Sequence, residues 1–258
     1  MRASPLLLAV ILTGTGVGGA RAAETACWFE NGAVVVPAEI GGVAGDWLID
    51  PSAPRTLLHE TRADMAGLPR MFTAPGSLAG QRLAPVEVMV ADLDDRAPGF
   101  VTPIAGIIGA DLLARFTVDL DFAPCRLRLT QGRAPLFRAV QRFSVRMVAG
   151  SPVLEAGVAD DRRARRGLFA LDWSSGAAVR LSSAELRPAR NGLDPSLRSR
   201  APARLRALSL GGQLYEEQSA AVASGLDPAL AGTLGTDLWS RWRLRLDIAH
   251  GALLLARK

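Results

Sequence analysis

Two aspartates hold corresponding places in the chain, each at the end of a short apolar run. Asp50 follows Trp-Leu-Ile at residues 47–49, and Asp172 follows Phe-Ala-Leu at residues 169–171. Such runs are typical of buried strands, so both carboxyl groups are expected at strand ends. Two carboxyl groups held close together cannot both ionise, and they share a proton. Such a pair can activate water, because the ionised member accepts a proton while the protonated member polarises a carbonyl group.

The chain repeats itself around these aspartates. The segment that begins at Gly106 reads GIIGADLLARFTVDLDF, and the segment that begins at Gly232 reads GTLGTDLWSRWRLRLDI, at a constant offset of 126 residues. A shorter match links SLAGQ at residues 77–81 with SLGGQ at residues 209–213. Repeated segments predict repeated structural units. We therefore expect two lobes, each of which contributes one aspartate to a cleft between them.

The elements that position the aspartates are predicted to be mainly β-strands. Short runs rich in Val, Leu and Ile alternate with turn residues, and a hairpin turn is expected at residues 39–46. Short helices are predicted at residues 60–67, 110–115 and 236–241. We predict lobe one at residues 27–131 and lobe two at residues 137–258, joined by a Gly- and Pro-containing segment.

Composition narrows the class of protein. With 258 residues, of which 49% are hydrophobic, the chain is long enough for two folded lobes and too apolar for disorder. Residues 1–22 have the charge, apolar run and small-residue end of a secretory signal peptide; a membrane anchor is the alternative. We expect a periplasmic or secreted protein with no stable membrane span after cleavage. The net charge is +5, and we interpret the arginine-rich segments as solvated loops; attraction to anionic lipid or an acidic partner is the alternative. Because these segments lack interleaved aromatic residues, no nucleic-acid binding is predicted.

The two cysteines, Cys27 and Cys125, are expected to form a disulfide, because their number is even and the predicted compartment is oxidising. Two unpaired buried thiols are the alternative. Since the chain has only two histidines, no metal site, no other cofactor and no Ser-His-Asp triad are predicted.

These segments resemble the bilobal aspartic peptidases, especially the bacterial retropepsin-like group. The resemblance rests on WLIDPSAPRTLL and FALDWSSGAAVRL around the aspartates, and on IIGADLLARF and LGTDLWSRW downstream. It implies two duplicated lobes, each built around a six-stranded β-barrel, with a cleft for a peptide or protein substrate. Asp50 and Asp172 would be the catalytic pair. Because both aspartates lie in one chain, we expect a monomer.

The sequence departs from that family's Asp-Thr/Ser-Gly motif after each aspartate. Pro51 and Trp173 replace the hydroxyl residue that locks the two loops together, and Ser52 and Ser174 replace the glycine. We expect Ser52, Trp173 and Ser174 to take part in binding. Too few residues precede the SLAGQ segment for a flap hairpin in lobe one, whereas residues 187–207 leave room for one in lobe two. Two hypotheses follow: an aspartic endopeptidase with a divergent pair, or a non-catalytic relative that binds a peptide or partner protein as an envelope accessory factor.

Overall fold

The computed structural model describes residues 21–96, 99–160, 163–183 and 203–258. Most of the predicted signal peptide and most of the predicted flap region of lobe two lie outside the described residues. Among the described residues, no helix is long and apolar enough to cross a membrane.

The described part of the first half contains ten strands and two short helices. In chain order they are β1 (Arg21–Ala26), β2 (Trp28–Glu30), β3 (Ala33–Ile40), β4 (Val43–Ile49), β5 (Leu57–His59), α1 (Glu60–Met65), β6 (Met71–Leu78), β7 (Gln81–Ala91), β8 (Ile104–Ile108), α2 (Ala110–Leu113), β9 (Thr117–Phe122) and β10 (Cys125–Gln131). A turn of 3₁₀-helix, Asp94–Arg96, lies between β7 and β8. The predicted hairpin turn is present, and its Gly41 and Gly42 both have positive φ (63° and 78°), a conformation that glycine adopts without strain.

The described part of the second half repeats this order without a counterpart of α1. Its elements are β11 (Gln141–Ser144), β12 (Arg146–Val148), β13 (Ser151–Ala159), β14 (Ala164–Leu171), β15 (Val179–Ser182), β16 (Ala203–Leu210), β17 (Gln213–Ala223), β18 (Gly232–Leu234), α3 (Thr236–Trp239), β19 (Arg243–Asp247) and β20 (Ala252–Ala256). The helices that were predicted in the two repeats are therefore present, each ending two residues earlier than expected.

Each half closes into a six-stranded β-barrel. In lobe one the hydrogen-bonded order β3-β4-β8-β5-β7-β6 returns to β3, and β2 extends it. In lobe two the order β13-β14-β18-β15-β17-β16 returns to β13, and β12 extends it. Apolar side chains that alternate along these strands fill both barrels, because successive residues of a strand point to opposite faces. The predicted mainly β, two-barrel architecture is confirmed.

A third sheet joins the lobes, in the order β1-β10-β9-β19-β20-β11. At its centre β9 and β19 are antiparallel, and Asp119 lies opposite Arg245. These two residues are equivalent in the repeat, so the pseudo-twofold axis passes between them. Strand β1, which precedes the predicted start of lobe one, belongs to this shared sheet. The domain boundaries themselves stay a prediction.

The predicted disulfide between Cys27 and Cys125 is present, with an S–S distance of 2.01 Å. It joins the residue after β1 to the first residue of β10, beside a hydrogen bond from the Cys27 N–H to the Cys125 carbonyl at 3.3 Å. The covalent link and the β1–β10 ladder therefore hold the same edge of the shared sheet.

Candidate functional site

Asp50 and Asp172 follow β4 and β14, the strands that run parallel to β8 and β18. The Asp50 N–H donates to the carbonyl of Ile108, and the Asp172 N–H donates to the carbonyl of Leu234, each at 3.0 Å. Their exposed fractions are 0% and 1%. The two halves of the repeat therefore place their aspartates in equivalent, fully buried positions.

The repeated glycines after β8 and β18 hold the aspartate loops in place. A Cβ at Gly109 would lie 2.4 Å from the carbonyl carbon of Arg55, and a Cβ at Gly235 would lie 2.1 Å from the carbonyl oxygen of Ala177. Real Cβ atoms do not approach so closely, so only glycine lets the helix start pack against the loop. This contact explains why Gly recurs at this place in both segments.

The repeated aspartates of α2 and α3 anchor the far end of each loop. In lobe one Thr56 donates to Asp111 twice, from its N–H at 3.1 Å and from its hydroxyl at 2.8 Å. In lobe two Ser219 links Ala178 to Asp237: its hydroxyl accepts from the Ala178 N–H at 2.9 Å and donates to Asp237 at 2.7 Å. The loops around Asp50 and Asp172 are thus fixed at both ends by the residues that the duplication shares.

The two lobes also hold each other at these loops. The Val34 N–H of lobe one donates to the carbonyl of Trp173 at 2.9 Å. In the other direction, the Ser151 hydroxyl of lobe two donates to the carbonyl of Ser52 at 2.8 Å. These bonds need neither a hydroxyl nor an N–H at residues 51 and 173, the two positions at which the sequence lacks the family's lock.

Four donors surround the carboxylate of Asp50. Its Oδ1 accepts from the N–H of Ser52 at 2.9 Å and from the Ser52 hydroxyl at 2.6 Å. Its Oδ2 accepts from the hydroxyl of Ser174 at 2.8 Å and from the guanidinium of Arg96, with which it forms an ion pair. A carboxylate offers about four acceptor positions. Protein donors face all of them, which makes Asp50 the ionised member of the pair.

Arg96 is one residue of the candidate site that sequence reasoning missed. It ends the 3₁₀ turn between β7 and β8, and its Nη2 donates both to Asp50 and to the Ser174 hydroxyl, the latter at 2.7 Å. Burial opposes the charge of Arg96, but the nearby charges of Asp50 and Asp172 outweigh burial and raise the pKa of the guanidinium. No sequence motif marks Arg96, because its 3₁₀ turn has no counterpart in the equivalent connection between β17 and β18.

The carboxyl group of Asp172 has weaker contacts with donors than that of Asp50. Its Oδ1 accepts from the Ser174 N–H at 2.9 Å, and its Oδ2 accepts from the Thr233 hydroxyl at 3.0 Å and lies 3.6 Å from Arg180. Burial and the charge of Asp50 raise the pKa of Asp172, and the Ser174 N–H, Arg96 and Arg180 oppose that shift only in part.

Ser174 connects the two carboxyl groups, since its Oγ lies 2.8 Å from Asp50 Oδ2 and 3.1 Å from Asp172 Oδ1. A hydroxyl carries one proton, and the shorter contact assigns it to Asp50. The contact with Asp172 is then completed by a proton on Asp172, in agreement with its raised pKa. Asp50, Ser174, Asp172 and Arg96, which we call the carboxylate cluster, form one hydrogen-bonded unit across the lobe boundary.

The structure brings together four of the predicted site residues, Asp50, Ser52, Asp172 and Ser174. Trp173 is adjacent in sequence but fully buried in the core, and its indole nitrogen has no hydrogen-bond partner among the described residues. This position favours a packing role, and its predicted part in binding stays a prediction. Five residues separate α1 from β6 in lobe one, so no separate flap hairpin precedes the barrel strand there.

One group of side chains within the described ranges has the composition of a cation site: His59, Asp92 and Asp94, whose ligand atoms lie within 4.8 Å of one another. His59 Nδ1 accepts from the Thr61 N–H at 3.3 Å, and Nε2 lies 3.1 Å from Asp94. Neutral imidazole with an accepting Nδ1 carries its proton on Nε2, so Nε2 has no lone pair for a metal. The arrangement therefore fits a helix cap better than a metal site.

No protein-family profile and no curated protein matches the sequence. Among solved structures, an aspartic proteinase from Irpex lacteus resembles the chain, with a TM-score of 0.58 and 13% sequence identity. The similarity covers 92% of this chain and 98% of that protein. The chain therefore has the bilobal aspartic-proteinase fold, as the two barrels and the paired aspartate loops indicate.

Proposed function

We propose that this protein binds an extended peptide segment, from a peptide or a protein partner, between its two lobes without hydrolysing it. The observation that carries the proposal is the set of four protein donors on Asp50. A general base must accept a proton from a bound water, and it needs a free acceptor position to do so. Asp50 has no free acceptor position while Arg96 and Ser174 donate to its Oδ2.

The fold supports the choice of a peptide as ligand, since peptides are what an aspartic-proteinase cleft accommodates. Conversely, Arg96 and the Ser174 hydroxyl both donate to Asp50 Oδ2, so a bound water finds no free acceptor position on that oxygen. The site thus keeps the architecture for binding and loses the proton acceptor for hydrolysis.

An active aspartic endopeptidase is the second candidate, and one observation favours it. The raised pKa of Asp172 beside an ionised Asp50 reproduces the unequal protonation on which a catalytic pair depends. Hydrolysis would require Arg96 to leave Asp50.

The test combines binding and cleavage of a fluorescently labelled unfolded protein, from acid to neutral pH. We expect the wild type to bind the probe, seen as increased anisotropy, with no new fragments on gels. Arg96→Gln frees one acceptor position of Asp50, and Arg166→Gln removes an exposed arginine from β14 as the matched control. No binding of the probe by the wild type would refute the proposal. Cleavage by the wild type that disappears in both Asp50→Asn and Asp172→Asn would establish the endopeptidase.

We also propose that the mature protein is an exported monomer, periplasmic or secreted. The Cys27–Cys125 disulfide supports an oxidising compartment. Cleavage after Ala22 would leave residues 23–26 of β1 to pair with β10. Cell fractionation and N-terminal sequencing of the mature chain test the compartment and the cleavage site, and light scattering tests the mass.

A further inference from the structure

Arg180 lies on the lobe-two wall of the carboxylate cluster. It is on β15, between Val179 and Leu181, which point into the barrel core. Because side chains alternate along a strand, Arg180 points to the opposite face. There it is the cross-strand partner of Thr233 on β18, whose hydroxyl donates to Asp172 at 3.0 Å. Cross-strand partners share one face of a sheet, so Arg180 borders the site directly.

The guanidinium of Arg180 lacks a matched anion. Its nearest acidic atom is Asp172 Oδ2 at 3.6 Å, which is longer than a hydrogen bond, and the described residues offer its five N–H donors no other acidic partner. Burial, together with the charge of Asp50, raises the pKa of Asp172 and so reduces the negative charge that faces Arg180. The arginine side chain is 27% exposed, which leaves part of it open to a ligand.

Lobe one has no such charge at the equivalent place. There the cross-strand pair is Leu57 and Ile107 of β5 and β8, and Ile107 is the repeat counterpart of Thr233. Both side chains pack in an apolar cluster outside the barrel core. The duplicated walls therefore differ: lobe one has a packed apolar pair at the place where lobe two has a cation and a hydroxyl.

We infer that Arg180 is a specificity residue that binds a carboxylate of the peptide held between the lobes. The carboxylate is either an acidic side chain or the peptide's C-terminal group, and both match the planar donor fork of arginine. This inference rests on the proposed peptide-binding function and adds to it a preference for acidic ligands.

The test uses rhodamine-labelled short peptides of one apolar sequence in three forms. The first has an internal glutamate and an amidated C-terminus. The second, which is neutral, has glutamine in place of the glutamate and the same amidated C-terminus. The third has glutamine and a free C-terminal carboxylate. We expect the wild-type protein to bind one of the two carboxylate forms about tenfold more tightly than the neutral form, as for one hydrogen-bonded ion pair. The form that is preferred identifies the source of the carboxylate.

Arg180→Gln should remove this preference, whereas the control Arg166→Gln should keep it. Arg180→Leu, which introduces the side-chain type of lobe one, is the second variant if the glutamine variant does not fold. Equal binding of all three peptides by the wild type, or a preference that survives both Arg180 substitutions, would overturn the inference alone. If no peptide binds the wild type, the proposed function fails, and this inference fails with it.

Discussion

The assigned charges predict unequal effects for the same substitution at the two equivalent aspartates. Asp50→Asn replaces one carboxylate oxygen by an amide NH₂. In either orientation of the amide, two donors lose their acceptor: Arg96 and the Ser174 hydroxyl on one side, or the N–H and hydroxyl of Ser52 on the other. Asp172→Asn instead replaces an acid whose pKa is raised by burial and by the charge of Asp50, so its charged form is less favoured than that of an exposed aspartate.

The expected magnitudes follow from these contacts. A hydrogen bond to a charged group contributes about 1.5–3 kcal/mol. Because the Arg96 side chain is 36% exposed, solvent screens its interaction with Asp50, and we take the low end of this range for that hydrogen bond. Asp50→Asn should then destabilise the protein by about 3 kcal/mol at neutral pH, a decrease in Tm of about 6–12 °C for a chain of this size. Asp172→Asn should change stability by about 1 kcal/mol or less, or raise it.

Thermal unfolding followed by circular dichroism at neutral pH, with the disulfide intact, measures both effects. Glu155→Gln, an exposed acidic residue of β13, is the control for loss of one negative charge. Equal losses of Tm at the two aspartates, or the larger loss at Asp172, would show that the negative charge is not localised on Asp50.

Three further predictions concern pH, the lobe boundary and the disulfide. The pKa of Asp172 is raised above its ordinary value of 3.8, so above that pH the folded protein binds more protons than the unfolded chain. The free energy of unfolding should therefore fall with rising pH by about 1.4 kcal/mol per pH unit, until the pH passes the raised pKa. Denaturant unfolding of wild type and Asp172→Asn across this range should show the slope only in the wild type. Asp119→Ala should lower the free energy of unfolding by about 3–5 kcal/mol in the same assay, because it leaves Arg245 without its carboxylate partner and the Arg245 side chain is only 8% exposed. A change below about 1 kcal/mol would contradict a structural role for the Asp119–Arg245 pair. Replacing Cys27 and Cys125 by serine should cost about 4–5 kcal/mol, because the bridge spans a sequence separation of 98 residues, and an unchanged denaturation midpoint would show that the β1–β10 ladder alone holds this edge.

The duplication and the short apolar runs were sufficient to predict two mainly β lobes, whereas the six-stranded barrels were implied by the resemblance to the bilobal aspartic peptidases. Barrel strands have a period of two, and the repeated glycines permit contacts that a Cβ would block, so both leave a pattern in the linear sequence. The same applies to Cys27 and Cys125, whose pairing follows from their number and the predicted compartment. The repeat also predicted that Asp50 and Asp172 occupy equivalent strand ends.

The state of that pair depends on contacts that have no signature in the chain. Arg96 reaches Asp50 from a connection 46 residues away, and Ser174 donates to Asp50 across 124 residues. Ser52 and Ser174 are the same residue type at equivalent positions, yet one contacts only its own aspartate and the other contacts both. Sequence spacing cannot distinguish these outcomes, because they depend on how the two lobes approach each other.

The sequence by itself therefore determined that two buried carboxyl groups end matching strands in a doubled β-barrel protein. Only the tertiary structure decided which of them is charged, because protonation depends on the donors and burial around each oxygen rather than on the residue type. The distances that set those surroundings arise when Arg96 and the two aspartate loops pack together.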